Sequence, residues 1–285
     1  MTNTSRPNQN SLGDISLLYA SVLLRATEAE GGDAERLKSQ FHLNDPELAA
    51  PEGRISIPRF MRLGQAAIAT TGNPALGLRM GALTRPIDAG IAGLAAESAN
   101  TVHQSLATLI RYALLSSRNS RGEPSLAAEH RKACFYSISP YNQYNYFVVD
   151  SILAAWTQLI RHMTGRYDIL ERVRIEYPSI GLDEVFESWF RCPVEFGAKE
   201  NSIRLKESVW LQAPSQAHQG MHEKLTAWCE QELQQIRKGW SVADRARYLM
   251  TPLLRGETPT IETLANRLGT TPWTLQRQLA SEGTG

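Results

Sequence analysis

The sequence predicts an α+β front domain with a small mixed or antiparallel sheet, followed by an all-α helix-turn-helix segment. Three observations carry that prediction. Apolar residues recur at helical spacing as far as Leu114, and strand-like runs alternate with helices from Ala133 to Leu205. Between Ile261 and Leu279, Gly269, Thr271 and Pro272 then punctuate two short apolar-periodic helices.

Residues 1–11 are polar and read as a frayed start. Ile15, Leu18, Tyr19, Val22, Leu23 and Ala26 share one helical face, with Asp14 as the expected N-cap and Gly31-Gly32 as the stop. A short helix follows from Asp33 to Phe41. Pro58 fits the first turn of a third helix, which buries Phe60, Leu63, Ala67 and Ile68 before Gly72-Asn73-Pro74 ends it. Gly77-Leu78-Arg79-Met80-Gly81 lacks the Lys-Ser/Thr of a phosphate loop and follows no strand, so it reads as tight packing. Thr101 and Gln104 form a capping box for a helix carrying Val102, Leu106, Leu109, Ile110 and Leu114.

Ala133 to Ser139 and Arg172 to Tyr177 read as strands, and Tyr144 to Met163 as a long apolar helix ended by Gly165. A helix from Leu182 to Phe190 precedes an expected hairpin, with Pro193–Phe196 and Ser202–Leu205 joined around Gly197. From Ser215 to Arg237 a helix carries the stripe Met221, Leu225, Trp228, Leu233 and Ile236, which suits a core face, an interdomain connector or a dimer face equally. Lys238-Gly239 marks the expected boundary between a unit of residues 1–239 and one of 240–285.

Thirty Lys and Arg against 29 Asp and Glu give a net charge of +1 over 285 residues. That balance excludes a generally basic nucleic-acid coat, an acidic solvating chain and a polybasic membrane binder. The apolar run from Ile15 to Leu24 follows an acid rather than a basic region, so it is no secretory leader, and no run reaches the roughly 18 apolar residues of a membrane span. Cys134, Cys192 and Cys229 are odd in number and far apart, which points to a reducing cytoplasm.

Signatures of catalysis are absent: no GxSxG, HExxH, Walker or strand-linked GxGxxG occurs, so neither catalytic residues nor a cofactor is expected. His218, His222 and Cys229 have zinc-compatible spacing without a fourth ligand. The histidine pair at a helix start reads as capping or solvated, and no metal is expected. Tyr136, Tyr141, Tyr144, Tyr146 and Phe147, with Trp156 nearby, form core and core edge or line a pocket; Tyr136, Tyr144 and Trp156 are the candidate ligand-binding residues.

The last segment is the most specific. Ser241 caps a helix with Val242, Ala246, Leu249 and Leu253, kinked by Pro252 and ended by Gly256. Ile261, Leu264, Ala265 and Leu268 then share a face, Gly269 ends that helix, and Ala265 and Gly269 are expected to let two helices cross closely. Thr271 is the N-cap and Pro272 the N1 residue of a helix burying Leu275 and Leu279. Opposite the leucines lie Trp273, Gln276, Arg277 and Ala280. Gln pairs bidentately with adenine and Arg with guanine, while Trp fits a thymine methyl or the sugar-phosphate edge.

The run from Thr258 to Gly285, with Leu-Ala-x-Arg-Leu-Gly, Trp-Thr-Leu-Gln-Arg-Gln-Leu-Ala and Glu-Gly-Thr-Gly, resembles the first helix-turn-helix of the AraC/XylS family of bacterial transcription regulators. The front resembles a sensor domain of one AraC subgroup (the arabinose-binding type) through Gly77-Leu78-Arg79-Met80-Gly81, Gly90-x-x-Gly93 and Arg191-Cys192-Pro193-Val194-x-Phe196-Gly197. The resemblance implies a one-component regulator with a sensing or dimerising front. Trp273, Gln276, Arg277 and the capping Thr271 would then meet promoter DNA in the major groove. The implied partners are promoter DNA, a small-molecule effector, a second copy of the chain and RNA polymerase. Members carry two helix-turn-helix units, whereas this sequence reaches Gly285 after one, so the resemblance implies an incomplete unit with weak, salt-sensitive DNA affinity. The alternative is a ligand-binding or dimerising module without DNA binding of its own.

Overall fold

Ser16, not Asp14, starts the first helix. In the computed structural model, which describes residues 12–119, 122–250 and 260–282, β1 (Gly13–Ser16) precedes α1 (Leu17–Ala29). Ser16 Oγ accepts the Leu18 amide at 3.2 Å. Asp14 is a strand residue instead: its carboxylate takes Arg54 Nε at 2.6 Å from β2 (Arg54–Ser56), and β1 lies between β2 and β3 (Ser117–Asn119) in an antiparallel sheet. Strands of three or four residues, with one apolar residue each in β1 and β2 and none in β3, leave little periodicity to read, so this sheet escapes sequence analysis. The polar start before Leu12 and the kink around Leu253, Pro252 and Gly256 lie outside the described residues.

Two of the next helices follow expectation: α2 (Ala34–Gln40), capped by Asp33, and, after a short unpredicted α3 (Asp45–Ala49), α4 (Ile57–Thr71) with Pro58 in its first turn. The tightly packed Gly77–Gly81 stretch proves to lie on a further helix, α5 (Leu76–Leu83). Leu23, Leu37, Phe60, Leu63, Leu76 and Met80 form the first core. A 3-10 turn (Pro86–Ala89) leads to α6 (Gly90–Glu97), α7 (Val102–Arg111) and α8 (Ala113–Ser116). The capping box at α7 is half formed. Thr101 Oγ1 accepts the Gln104 amide, but the Gln104 side chain takes the amide of Asn100 rather than that of Thr101.

A second core forms where α9 (Tyr146–Thr164) packs against a five-stranded mixed sheet of β4 (Ser125–Ala127), β5 (Lys132–Phe135), β6 (Leu170–Ile175), β7 (Val194–Phe196) and β8 (Asn201–Leu205). Its strand order is β4-β5-β8-β6-β7, with β6 and β7 parallel. The expected hairpin around Gly197 is therefore incorrect. Gly197 N and Ala198 N donate to Tyr177 O and Ile175 O, and Val173 N to Pro193 O, which holds β7 along β6. Strand β8 instead enters between β5 and β6. Helix α10 (Asp183–Phe190) fills the crossover and buries Phe186 and Phe190.

The two cores meet through α5 and α9, and the Gly77–Gly81 stretch is the reason they can. A Cβ on Gly77 would stand 2.6 Å from Asp150 Cβ. One on Gly81 would stand 2.1 Å from Ala154 Cβ and 2.7 Å from its carbonyl carbon. The reading as tight packing holds. Gly81→Ala forces the helices apart against backbone that cannot swing away, and destabilises by about 1–3 kcal/mol. A lowered urea midpoint at unchanged slope checks this, and adding Ala154→Gly recovers only part of the loss, because the backbone contact remains.

After α11 (Glu207–Trp210), the long α12 (Gln219–Lys238) buries His222, Cys229 and Leu233 rather than the full expected stripe; Met221 and Trp228 are exposed. Cys229 and Leu233, with Leu225 and Trp240, pack on Ala92, Ala95, Tyr112 and Leu114, so α12 docks on α6 and α8. The expected stripe is half formed: Leu233 is buried and Leu225 packs beside it, whereas the neighbouring His222 and Cys229 take the inward places expected of Met221 and Trp228. Among the described residues, no helix is long and apolar enough to cross a membrane.

Candidate functional site

The last three helices build an exposed helical face from a very small core. They are α13 (Val242–Met250), α14 (Ile261–Arg267) and α15 (Pro272–Ser281), and they close on Ala246, Leu264, Ala265 and Leu275. Thr260 and Thr271 cap α14 and α15 by accepting the amides of Thr263 and Thr274, each at 3.2 Å. Gly269 has φ +65°, and Thr270 N donates back to Ala265 O at 2.9 Å, closing α14 with a left-handed residue. A Cβ on Gly269 would meet nothing within 4 Å. Its role is thus conformational, and the expected close helix crossing rests on Ala265 alone, which is fully buried.

On α15, Leu275 is buried while Trp273, Gln276, Arg277 and Ala280 all face outward, as the periodicity predicts. Trp273 is 66% exposed. The Arg277 guanidinium lies 4.8 Å from the centre of its ring. This cation–π contact holds both groups at one spot on the helix surface. Thr271 sits at the mouth of the same helix with its hydroxyl engaged in the cap.

Glu282, legible in the sequence only as part of the Glu-Gly-Thr-Gly run, has a structural role at a distant helix. Its two carboxylate oxygens take the amides of Val242 (2.9 Å) and Ala243 (2.8 Å), the first free donors of α13. Those donors hold its carboxyl below the usual glutamate range. Ser241 adds a second cap through Asp244. The residue after α15 is thereby fastened to the start of α13, which fixes the direction of α15. An acid just past a helix end, 40 residues from a helix start, gives no local signal.

The aromatic residues proposed for a pocket have separate surroundings. Tyr144 is 40% exposed and Trp156 is buried edge-on to Phe135, while a Cβ on Gly122 would fall 2.0 Å from the Tyr136 ring. The rings that gather are Tyr141, Tyr146, Tyr177 and Phe196. Behind them Tyr177 donates to Asp150, a fully buried carboxyl on α9 whose other oxygen has no hydrogen-bond partner. Burial pushes Asp150 up to about 8, against a weaker downward pull from the Tyr177 hydroxyl. Nearby, Tyr19 donates to Ser151 at 2.7 Å, joining α1 to α9.

The histidines serve the fold. His218 Nδ1 accepts the Met221 amide as the cap of α12, and His222 Nδ1 donates to Ala95 O at 2.7 Å. Cys229 is buried in the apolar contact with α6, and that burial pushes its thiol up to about 11.

An open groove of about 560 Å³ runs between α5 and α10. Leu78, Arg79 and Ala82 line one side, Glu184, Val185, Ser188 and Trp189 the other, and Glu30 and Asn73 close one end. Glu30 accepts Asn73 Nδ2 at 3.0 Å and pairs with Arg79 Nε at 3.1 Å. Arg161 stacks on Trp189 at 4.7 Å and donates to the carbonyls of Tyr167, Trp189 and Phe190, which pins the end of α10.

Comparison with known proteins places this architecture. A family model described as the arabinose-binding domain of AraC transcription regulators, N-terminal, matches residues 31–215. The ornithine utilization regulator of Pseudomonas aeruginosa is 24% identical over 274 residues, covering 95% of this chain and 79% of that protein. The crystal structure of the transcriptional regulator CdpR from Pseudomonas aeruginosa shares the fold, with a TM-score of 0.50 at 19% identity, over 94% of this chain and 80% of that one.

Proposed function

The chain belongs to the family of AraC transcription regulators with an N-terminal arabinose-binding domain, and from that premise we propose that it binds promoter DNA through α15 under the control of a small molecule sensed by the front domain. One observation carries the reading. A helix capped by Thr271 and clasped through Glu282 presents Trp273, Gln276 and Arg277 outward, the Arg277 guanidinium stacked on the exposed indole. Gln and Arg one residue apart suit adjacent adenine and guanine edges in a major groove. Thr271, at the helix mouth, is the fourth proposed contact. A second copy of the chain and RNA polymerase are the further partners of this reading. Because the similar regulator is named for ornithine utilization, amino acids are the first compounds to screen as effectors.

The test is selection from a random duplex library with the full chain, followed by fluorescence anisotropy on the enriched sequence. The expected result is a motif bound about 10³-fold or more above a scrambled duplex. Affinity should fall log-linearly with salt and change when an effector is added. Absence of any enriched motif overturns the reading in favour of a ligand-binding or dimerising module.

A further inference from the structure

We infer that the groove between α5 and α10 is a binding site for a small organic cation, an amine with an aliphatic or aromatic body. This inference rests on the proposed sensing role and gives it a place and a ligand class.

The location argues first. Residues 75, 78, 79 and 82 share one face of α5 and its entry, and residues 184, 185, 188 and 189 share one face of α10. Leu76 and Met80 of α5 belong to the first core, whereas Phe186 and Phe190 of α10 belong to the second. A molecule in the groove therefore touches elements anchored in both cores, the kind of junction where ligand sites concentrate. The volume of about 560 Å³ lies within the range of small-molecule sites.

The chemistry of the walls argues second. Ala75, Leu78, Ala82, Val185 and the Trp189 ring supply apolar surface. Val185 is 47% exposed, an apolar side chain left open to water at the groove. Among the charged groups, Arg79 is occupied by Glu30 at 3.1 Å, while Glu184 is exposed with no ion pair among the described residues. The groove thus offers two carboxylates against one guanidinium. With Glu30 paired to Arg79, the uncompensated charge of the lining is the Glu184 carboxylate, which attracts an ammonium head and opposes an anion. The indole, whose cation–π contact is with Arg161, adds apolar surface for the alkyl body. The Arg161 guanidinium against Trp189 is tied to three backbone carbonyls and is not free to receive a ligand anion.

Thermal shift and calorimetry on the full chain test this with 2-phenylethylamine, putrescine and L-lysine as amines, and benzoate and succinate as anions. Glu184→Gln and Val185→Arg are the variants, both at exposed positions where folding is unaffected. At least one amine is expected to bind saturably. Glu184→Gln should weaken it about fivefold, as loss of an exposed charge pair does, and Val185→Arg should abolish it by placing a cation in the groove. An amine that binds all three proteins equally overturns the groove while leaving the sensing role intact. Binding of the anions alone overturns the ligand class. If none of the five compounds binds, the inference fails, and an amino-acid and metabolite screen that likewise gives no shift removes the sensing role too.

Discussion

Replacing Asp150 with Asn raises the stability of the protein at pH 8 and flattens its dependence on pH. Asp150 is fully buried on α9 between Tyr177 and the close contact with Gly77, and burial holds its carboxyl neutral, with a titration near 8 against an ordinary 3.8. The sign follows from linkage. Below 3.8 both folded and unfolded chains carry the proton. Between 3.8 and about 8 the unfolded chain releases it while the folded chain keeps it, so the unfolded state gains and stability falls. Above about 8 both are ionised and the loss is complete. Integrated over that window, the effect is of the order of 5 kcal/mol, an upper value because burial relaxes on ionisation. Asn keeps the acceptor for the Tyr177 hydroxyl and never ionises. Its amide replaces an oxygen that has no partner in the native protein, so it inherits an existing defect at a cost of about 1–3 kcal/mol. Urea unfolding at several pH values between 4 and 9 should therefore give native and variant curves that converge or cross in acid and separate toward pH 8, the variant higher. Parallel curves would show that Asp150 does not carry this titration.

Such a residue marks where sequence reading stops. The helices of the front half were legible because Asp33, Pro58, Gly72, Thr101 and Gly165 punctuate apolar repeats of period 3.6, and each of these signals is local. The first sheet was not, since Gly13–Ser16, Arg54–Ser56 and Ser117–Asn119 are too short to alternate and pair across long separations. Gly197 misled for a related reason. A glycine between two strand-like runs reads as a hairpin, and only the hydrogen bonds of residues 197 and 198 to β6 reveal a parallel partner. At the site, the outward face of α15 was fully legible, because Leu275 and Leu279 define its opposite by arithmetic on one helix. The Glu282 clasp and the α5–α10 groove join residues 40 to more than 100 positions apart, and no pattern along one segment encodes them.

The reading face itself carries the other large effect. Arg277→Ala is expected to weaken binding of the selected DNA by about 1–3 kcal/mol and to erase the preference for guanine at one position, while Gln276→Ala does the same for adenine at its neighbour. Neither side chain is buried, so the thermal midpoint of the protein should hold. Trp273→Ala should act twice: it removes the proposed apolar contact to DNA, and it frees the Arg277 guanidinium that the ring holds at 4.8 Å. An arginine that must be ordered on binding costs entropy that a pre-positioned one does not. The losses of Trp273→Ala and Arg277→Ala should consequently fail to add, the double variant losing less than the two singles together. A phosphate contact behaves differently, weakening all sequences alike and lowering the salt slope by about one. The two roles therefore separate in a single series of titrations on matched and mismatched duplexes at several salt concentrations. Uniform loss across sequences after Arg277→Ala would move Arg277 from the base edge to the backbone, and additive losses would remove the stacked pair as a unit of recognition.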